Sequence, residues 1–194
     1  MPMLGTLPTT LKVNGVDYDI RTDFRNILQI ITAFNAPELN EKEKAYVCLK
    51  RLFVALNTIP ADDYTAAYEA AVAFIEHQIE EDRPSPRIVN WEKDEALIFS
   101  AINKVAGKEV RSERYMHWWT FLGYFQSIDR NDTWGCVLVI RQKKAQGKKL
   151  EAYEKEFYFA NRNLCSVDPP KKRKSQKDIM QDMFEELLEK GGDE

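Results

Sequence analysis

The stretch from residue 112 to residue 128 constrains the fold most, because it is apolar on nearly every side when drawn as a helix. Ser112 is a suitable N-cap, and Glu113 lies in the first turn, where a helix favours an acid. A narrow polar stripe is formed by His117, Thr120 and Ser127. A helix that is apolar nearly all round is buried nearly all round. We therefore expect the central helix of a helical core, in which surrounding helices bury both Trp118 and Trp119.

The composition limits the classes of function that the chain can have. Its 194 residues, 44% of them hydrophobic, are enough for one domain or two small ones. The formal net charge of -3 gives no general electrostatic reason to bind nucleic acid. Three cysteines far apart in sequence argue against a disulfide framework and are typical of a reducing cytosol. With no signal peptide and no apolar run long enough for a membrane, we expect a cytoplasmic protein.

Local patterns predict a mainly α fold that begins with a β-hairpin. Alternating residues flank Asn14-Gly15, a strong hairpin signal because a type I′ turn needs two residues with positive φ. Caps at Thr22 or Asp23, at Asn40 and at Asn90 then introduce helices. We predict a compact arrangement of six to seven helices, with the short hairpin packed on them. A C-terminal amphipathic helix on a flexible arm completes the predicted fold.

Three of these segments have boundaries that the structure can test. A helix is predicted from Trp91 to Ala106, and the last core helix from about residue 149 to 163. Residues 134–140 have the β-branched composition of a buried strand, so periodicity alone leaves strand and helix open. Their position between Asp132, a suitable cap, and the stopping Gly147 favours a helix.

Composition also suggests where the chain divides. Residues 1–83 are predicted to contain the hairpin and three helices, and residues 84–167 to form a second helical part around the helix 112–128. The alternative is that the two parts form one domain. Residues 168–194 are predicted to be a flexible basic linker followed by an amphipathic helix, and Lys171 to Lys174 read better as a solvated linker than as a nucleic-acid contact.

The C-terminal helix carries the candidate partner-binding residues. Its six apolar residues recur at helical spacing on an otherwise acidic segment: Ile179, Met180, Met183, Phe184, Leu187 and Leu188. An apolar helix face of this kind needs the core, a second copy of the chain or another protein to cover it. We predict that it contacts a client or neighbouring subunits.

The sequence contains no recognisable catalytic or metal-binding motif. It has no glycine-rich phosphate loop, no nucleophile elbow and no paired His or Cys residues at metal-ligand spacing. His117 beside two tryptophans is the best candidate for a general base, but a histidine hydrogen-bonded in the core is the simpler interpretation. We expect no cofactor, no metal and no enzymatic activity.

Several short motifs occur in a fixed order between about residues 8 and 165. The hairpin runs into Thr22-Asp23-Phe24-Arg25, and an acidic-aliphatic stretch begins at Trp91 and includes Ile98. His-Trp-Trp-Thr-Phe occupies residues 117–121, and a later arginine precedes Lys-Lys-Leu at 148–150 and Glu-Phe-Tyr at 156–158. The core motif comprises Trp91, Ile98, Arg111, His117, Trp118, Trp119, Phe121 and Arg141. This combination resembles a family of proteins encoded by long-tailed phages and prophages of Gram-positive bacteria, and the resemblance ends before residue 168.

Members of that family are similar to tail assembly chaperones. The resemblance implies a helical, non-catalytic protein of the host bacterial cytoplasm that binds the tape measure protein and other tail proteins. It would keep that long client soluble while the tail tube forms and would be absent from the finished virion. Self-association fits this role, whereas nucleic acid and membranes are not expected partners. The alternative is a structural tail or connector protein that is retained in the virion.

Overall fold

The structure is a computed structural model that describes residues 5–77 and 88–167, and it confirms the mainly α fold. An antiparallel hairpin comes first, with strands β1 (Thr10–Val13) and β2 (Val16–Asp19). The described helices are α1 (Phe24–Phe34), α2 (Glu41–Leu52), α3 (Tyr64–Glu76), α4 (Glu95–Ala106), α5 (Trp118–Gln126), α6 (Thr133–Ala145), α7 (Ala152–Ala160) and α8 (Arg162–Cys165). Short 3-10 turns occupy Leu56–Thr58, Ala61–Asp63 and Val110–Ser112.

The predicted hairpin is confirmed, and so is its packing on helices. Asn14 and Gly15 both have positive φ, at 46° and 90°, as a type I′ turn requires. This turn pairs Val13 with Val16, and Val13 is buried. The hairpin packs on α3, which supplies the apolar surface that two strands cannot supply alone.

Local cap chemistry correctly predicted the start of three helices. The Asp23 side chain caps α1, and Asn40 forms a capping box with Glu43 at the start of α2. Asp132 caps α6, whose span confirms the helical interpretation of residues 134–140. These starts were predictable because each cap lies within three residues of the backbone groups that it satisfies.

The predicted start of the central helix was wrong. The structure places Ser112 in a 3-10 turn, and α5 begins only at Trp118, with His117 as its N-cap. Asp23 and His117 form an antiparallel bridge, and the Trp118 N–H donates to the Thr22 carbonyl at 2.7 Å. This pairing with a distant segment holds residue 117 extended, so the helix cannot extend toward Ser112.

Two further helix boundaries differ from prediction. The fourth helix starts at Glu95 rather than at Trp91, because residues 90–94 form a turn. In this turn the Asn90 N–H donates to the Asp94 carboxylate, and the Asp94 N–H donates to the Asn90 carbonyl. The predicted last core helix, about residues 149–163, is two helices, α7 and α8, separated at Asn161, which has φ −127° and ψ 40°. The described residues therefore contain eight helices where six to seven were predicted.

A single hydrophobic core includes residues from both sides of the predicted boundary near residue 83. The Phe24 ring of α1 stacks on the Phe121 ring of α5, with ring centroids 4.4 Å apart. The Phe24 N–H also donates to the Met116 carbonyl at 3.0 Å. The division into residues 1–83 and 84–167 stays a prediction, and residues 168–194 lie outside the described residues. Within the described ranges, no helix combines the length and apolar character needed to cross a membrane.

Gly135 lies where α6 meets the preceding turn, and a larger residue does not fit there. A Cβ atom at this position would lie 2.1 Å from the Asp129 carbonyl oxygen and 2.8 Å from the Arg130 Cα. We expect Gly135→Ala to lower the free energy of unfolding by about 1–3 kcal/mol, since the backbone must move apart. Urea unfolding followed by circular dichroism measures the change.

The matched control for this substitution is Gly123→Ala in α5. A Cβ atom at Gly123 meets no other atom within 4 Å. Alanine in an open helical position is expected to raise stability by about 0.5–1 kcal/mol. Equal effects of the two substitutions would contradict the close approach at Gly135.

Candidate partner-binding groove

A groove of about 480 Å³ lies along one face of α6. The end of α5, the segment that follows it, and Ile88 form its other wall. Its floor consists of half-buried apolar side chains: Ile88, Phe125, Ile128, Leu138 and Val139. Half-buried apolar residues gathered in one concave surface are typical of sites that bind an apolar partner.

The rim of this groove is cationic and carries hydrogen-bonding amides. Its charged residues are Arg130, Lys143 and Lys148, and its amides are Gln126, Gln142 and Gln146. Lys143 is held by the buried Glu154 carboxylate at 2.6 Å. Arg130 and Lys148 are exposed, and neither side chain forms an ion pair within the described part of the chain. The groove therefore presents apolar surface bordered by uncompensated positive charge.

A buried ion pair lies behind the groove and fixes its residue Ile88 against α6. The Arg141 guanidinium on α6 donates to both Asp94 carboxylate oxygens, at 2.6 Å and 2.9 Å, and both side chains are almost completely buried. The same guanidinium donates to the carbonyls of Ile88, Leu164 and Ser166, at 2.8 Å, 2.6 Å and 3.1 Å. One side chain thus fixes the start of α4, the groove residue Ile88 and the end of α8 against α6.

A second, smaller groove of about 340 Å³ lies between α1 and α4. Arg25 and Arg111 lie over the rings of Phe24 and Phe99, at 4.5 Å and 5.0 Å from the ring centroids. Each arginine is already paired, with Asp23 and Glu109 respectively, and the lining also contains Glu92 and Glu95. This groove therefore offers no uncompensated positive charge to a partner.

His117 has a structural position in which both ring nitrogens are engaged. Its Nδ1 accepts a hydrogen bond from the Trp119 N–H at 3.0 Å, and its Nε2 bonds the Pro8 carbonyl at 2.9 Å. Nδ1 therefore carries no proton, and the ring is neutral. Burial lowers the pKa of His117, and the bond to the Pro8 carbonyl offsets part of that change. As the N-cap of α5, this histidine has no free nitrogen that could act on a substrate.

The position of His117 predicts a loss of stability in mild acid. Its pKa is lowered from 6.5 in the folded chain, so the unfolded chain binds the proton more readily. The free energy of unfolding should thus begin to fall as the pH is lowered through 6.5, and it should continue to fall until the folded ring itself takes up the proton. His117→Asn keeps an N-cap without a titrating ring and should weaken this pH dependence.

The chain has one other histidine, His77, and it needs a control of its own. Its pKa is lowered by burial and by the repulsion that it would meet from a protonated His117, so its titration acts in the same direction. The variant His77→Asn measures how much His77 contributes to the loss of stability in mild acid. An unchanged pH dependence in His117→Asn would contradict the buried, neutral ring.

The residues of the predicted core motif differ in burial. Ile98, His117, Trp118, Phe121 and Arg141 are buried. Trp91 and Trp119 are only half-buried. Arg111 is exposed and pairs with Glu109, the residue that caps its 3-10 turn. Hydrogen bonds from the arginine lower the pKa of that glutamate to about 2. The stripe Ile179 to Leu188 lies outside the described residues.

In the part of the chain that the structure describes, metal-ligand residues do not cluster, and burial raises the pKa of all three cysteine thiols. No group of three or more His, Cys, Asp or Glu residues there could hold a metal ion. The three cysteines are free, and burial raises the pKa of the Cys48 thiol to about 12. A thiol with so high a pKa is a poor nucleophile at neutral pH.

Sequence reasoning did not find the groove. Its residues come from three separate segments, and each taken alone reads as an ordinary half-buried helix or loop. One signal was present, namely the apolar run 134–140 followed by basic residues up to position 149.

The family of the chain follows from a comparison over most of its length. Residues 3–166 match the family described as Bacteriophage Gp15 protein. The chain belongs to this family. It is thus a bacteriophage protein, and the match covers every helix described above and both walls of the groove. No curated protein and no solved structure matches the chain.

Proposed function

We propose that this protein is a non-catalytic tail assembly chaperone that binds the tape measure protein of its phage. The observation that carries the proposal is an apolar groove with a cationic rim on a chain of a bacteriophage family. The resemblance of its motifs to tail assembly chaperones supports the same role. A chaperone needs apolar surface that it can offer to a client, and it needs no chemistry.

The groove has the properties expected for binding a helical client. Amphipathic helices bind by placing their apolar face in a hydrophobic groove while their charges contact its border. Here Phe125, Leu138 and Val139 offer the apolar contact, and Arg130 and Lys148 favour an acidic border on the client. Binding in the host cytoplasm would cover client segments that otherwise aggregate.

Co-expression with the tape measure protein of the same phage tests the proposal. We expect the client to become soluble only when this protein is present, and light scattering to show several copies on each client. Val139→Asp in the groove floor should reduce the soluble client several-fold. Val105→Asp, at an exposed valine of α4 outside the groove, is the matched control and should leave the client soluble.

Two outcomes of this experiment would reject the client assignment. One is a tape measure protein whose solubility does not depend on this chain. The other is an equal response to Val139→Asp and Val105→Asp, provided that circular dichroism shows both variants folded.

A structural tail or connector protein that stays in the virion is the second candidate. Membership of a bacteriophage family supports this candidate equally well, because such membership does not separate assembly factors from virion components. The apolar groove favours the chaperone, since a chaperone needs apolar surface that it can offer to a client.

A further inference from the structure

We propose that in the free protein the groove on α6 is occupied by the chain's own C-terminal segment, residues 178–189. This inference does not require the chaperone function, because both the groove and the segment belong to this chain. It concerns the protein before it meets any partner.

The segment and the groove are complementary in charge. Residues 178–189 contain five carboxylates and no Lys or Arg, at Asp178, Asp182, Glu185, Glu186 and Glu189. The groove rim holds the exposed Arg130 and Lys148, which form no ion pair in the described part of the chain. Placing the carboxylates at this border compensates charge on both sides.

The two surfaces are also complementary in apolar character. The segment carries its apolar residues in pairs, four positions apart, so that a helix would gather them on one face. The groove floor offers a matching set of half-buried side chains, including Phe125, Ile128 and Leu138. Docking one against the other removes both apolar surfaces from water.

The path of the chain brings the segment to the groove. The described chain ends at Val167, one residue after Ser166. The Ser166 carbonyl and the carbonyl of the groove residue Ile88 accept hydrogen bonds from the same Arg141 guanidinium, so the exit point lies beside the groove. Residues 168–178 reach about 36 Å at full extension. This reach is more than the chain needs to pass from Ser166 to the neighbouring groove. A tether of this length keeps the segment at about millimolar effective concentration.

The second groove does not suit this segment. Its arginines already pair with Asp23 and Glu109, and Glu92 and Glu95 in its lining would repel the acidic residues. Of these two grooves, the one on α6 is therefore the favoured site. A tape measure segment that enters this groove would displace residues 178–189, which would leave their apolar stripe available to the client or to neighbouring subunits.

Carbodiimide cross-linking of the full purified chain tests the proposal without any client. This reagent joins a carboxylate to a lysine amine that it touches, and mass spectrometry identifies the pair. We expect links from Glu185, Glu186 or Glu189 to Lys148. Their yield should exceed that of links to the exposed Lys42 of α2, outside the groove, by about tenfold, since docking raises the local concentration of the carboxylates.

A variant and an isotope label make the result decisive. Leu187→Asp/Leu188→Asp keeps every carboxylate but removes apolar contact, so its links to Lys148 should fall to the level of Lys42. A mixture of unlabelled and nitrogen-15 chains shows whether each link lies within one chain. Links between chains would overturn the proposal in favour of a second copy as occupant. Equal yields at Lys148 and Lys42 in the wild type would overturn it altogether.

Discussion

Arg141→Met is expected to lower the free energy of unfolding by about 3–5 kcal/mol, because it leaves the Asp94 carboxylate charged and buried without its partner. The carbonyls of Ile88, Leu164 and Ser166 lose a donor at the same time. Methionine fills similar volume without a donor, so the change reports the lost hydrogen bonds and charge. Chemical denaturation at neutral pH measures it.

Two variants separate the buried pair from arginine removal in general. Arg111→Met removes an exposed arginine that pairs with Glu109 on the surface, and it should change stability by less than about 1 kcal/mol. Arg141→Met/Asp94→Leu removes both buried charges and should be more stable than the sum of the single changes predicts. A strictly additive double variant would contradict the direct coupling of the two side chains.

Trp118→Ala is expected to cost about 3–5 kcal/mol of stability, the usual loss for a large buried aromatic side chain. The Trp118 side chain is 2% exposed, and its indole N–H donates to the Ile75 carbonyl at 2.8 Å. Removing it opens a cavity between α5 and α3 and leaves that carbonyl without its donor. Thermal and chemical unfolding followed by circular dichroism give the value.

Its neighbour provides the matched control. Trp119 is half-buried and stacks on Phe74 at 5.6 Å, with its indole N–H on the Phe74 carbonyl at 3.1 Å. We expect Trp119→Ala to cost about 1–2 kcal/mol. Losses below about 1 kcal/mol at both positions would mean that neither ring lies in the core, and the pair would then be a candidate contact surface.

Features that depend on near neighbours in sequence were predicted correctly. The Asn14-Gly15 turn, the cap at Asp23 and the Asn40 capping box each involve residues no more than three positions apart. The helix at 134–140 was predicted because Asp132 and Gly147 bound it. In all four cases the interaction that decides the local structure lies within the local sequence.

Features that depend on distant partners were missed. The start of α5 is set by the bridge between Asp23 and His117, and the start of α4 is set beside the Asp94–Arg141 pair. Asp23 and His117 lie 94 residues apart, and Asp94 and Arg141 lie 47 residues apart. Helical periodicity cannot predict pairs so distant in sequence. The groove was missed for the same reason, since its walls come together only in the folded chain.

Mass spectrometry of two fractions from one infection tests the central claim, that this protein assists tail assembly and then leaves. One fraction is the tape measure protein captured from lysed cells before tails are complete, and the other is purified virions. We predict this chain in the first fraction and its absence from the second. Its presence in purified virions at a fixed copy number per tail would contradict the claim and identify a structural tail protein.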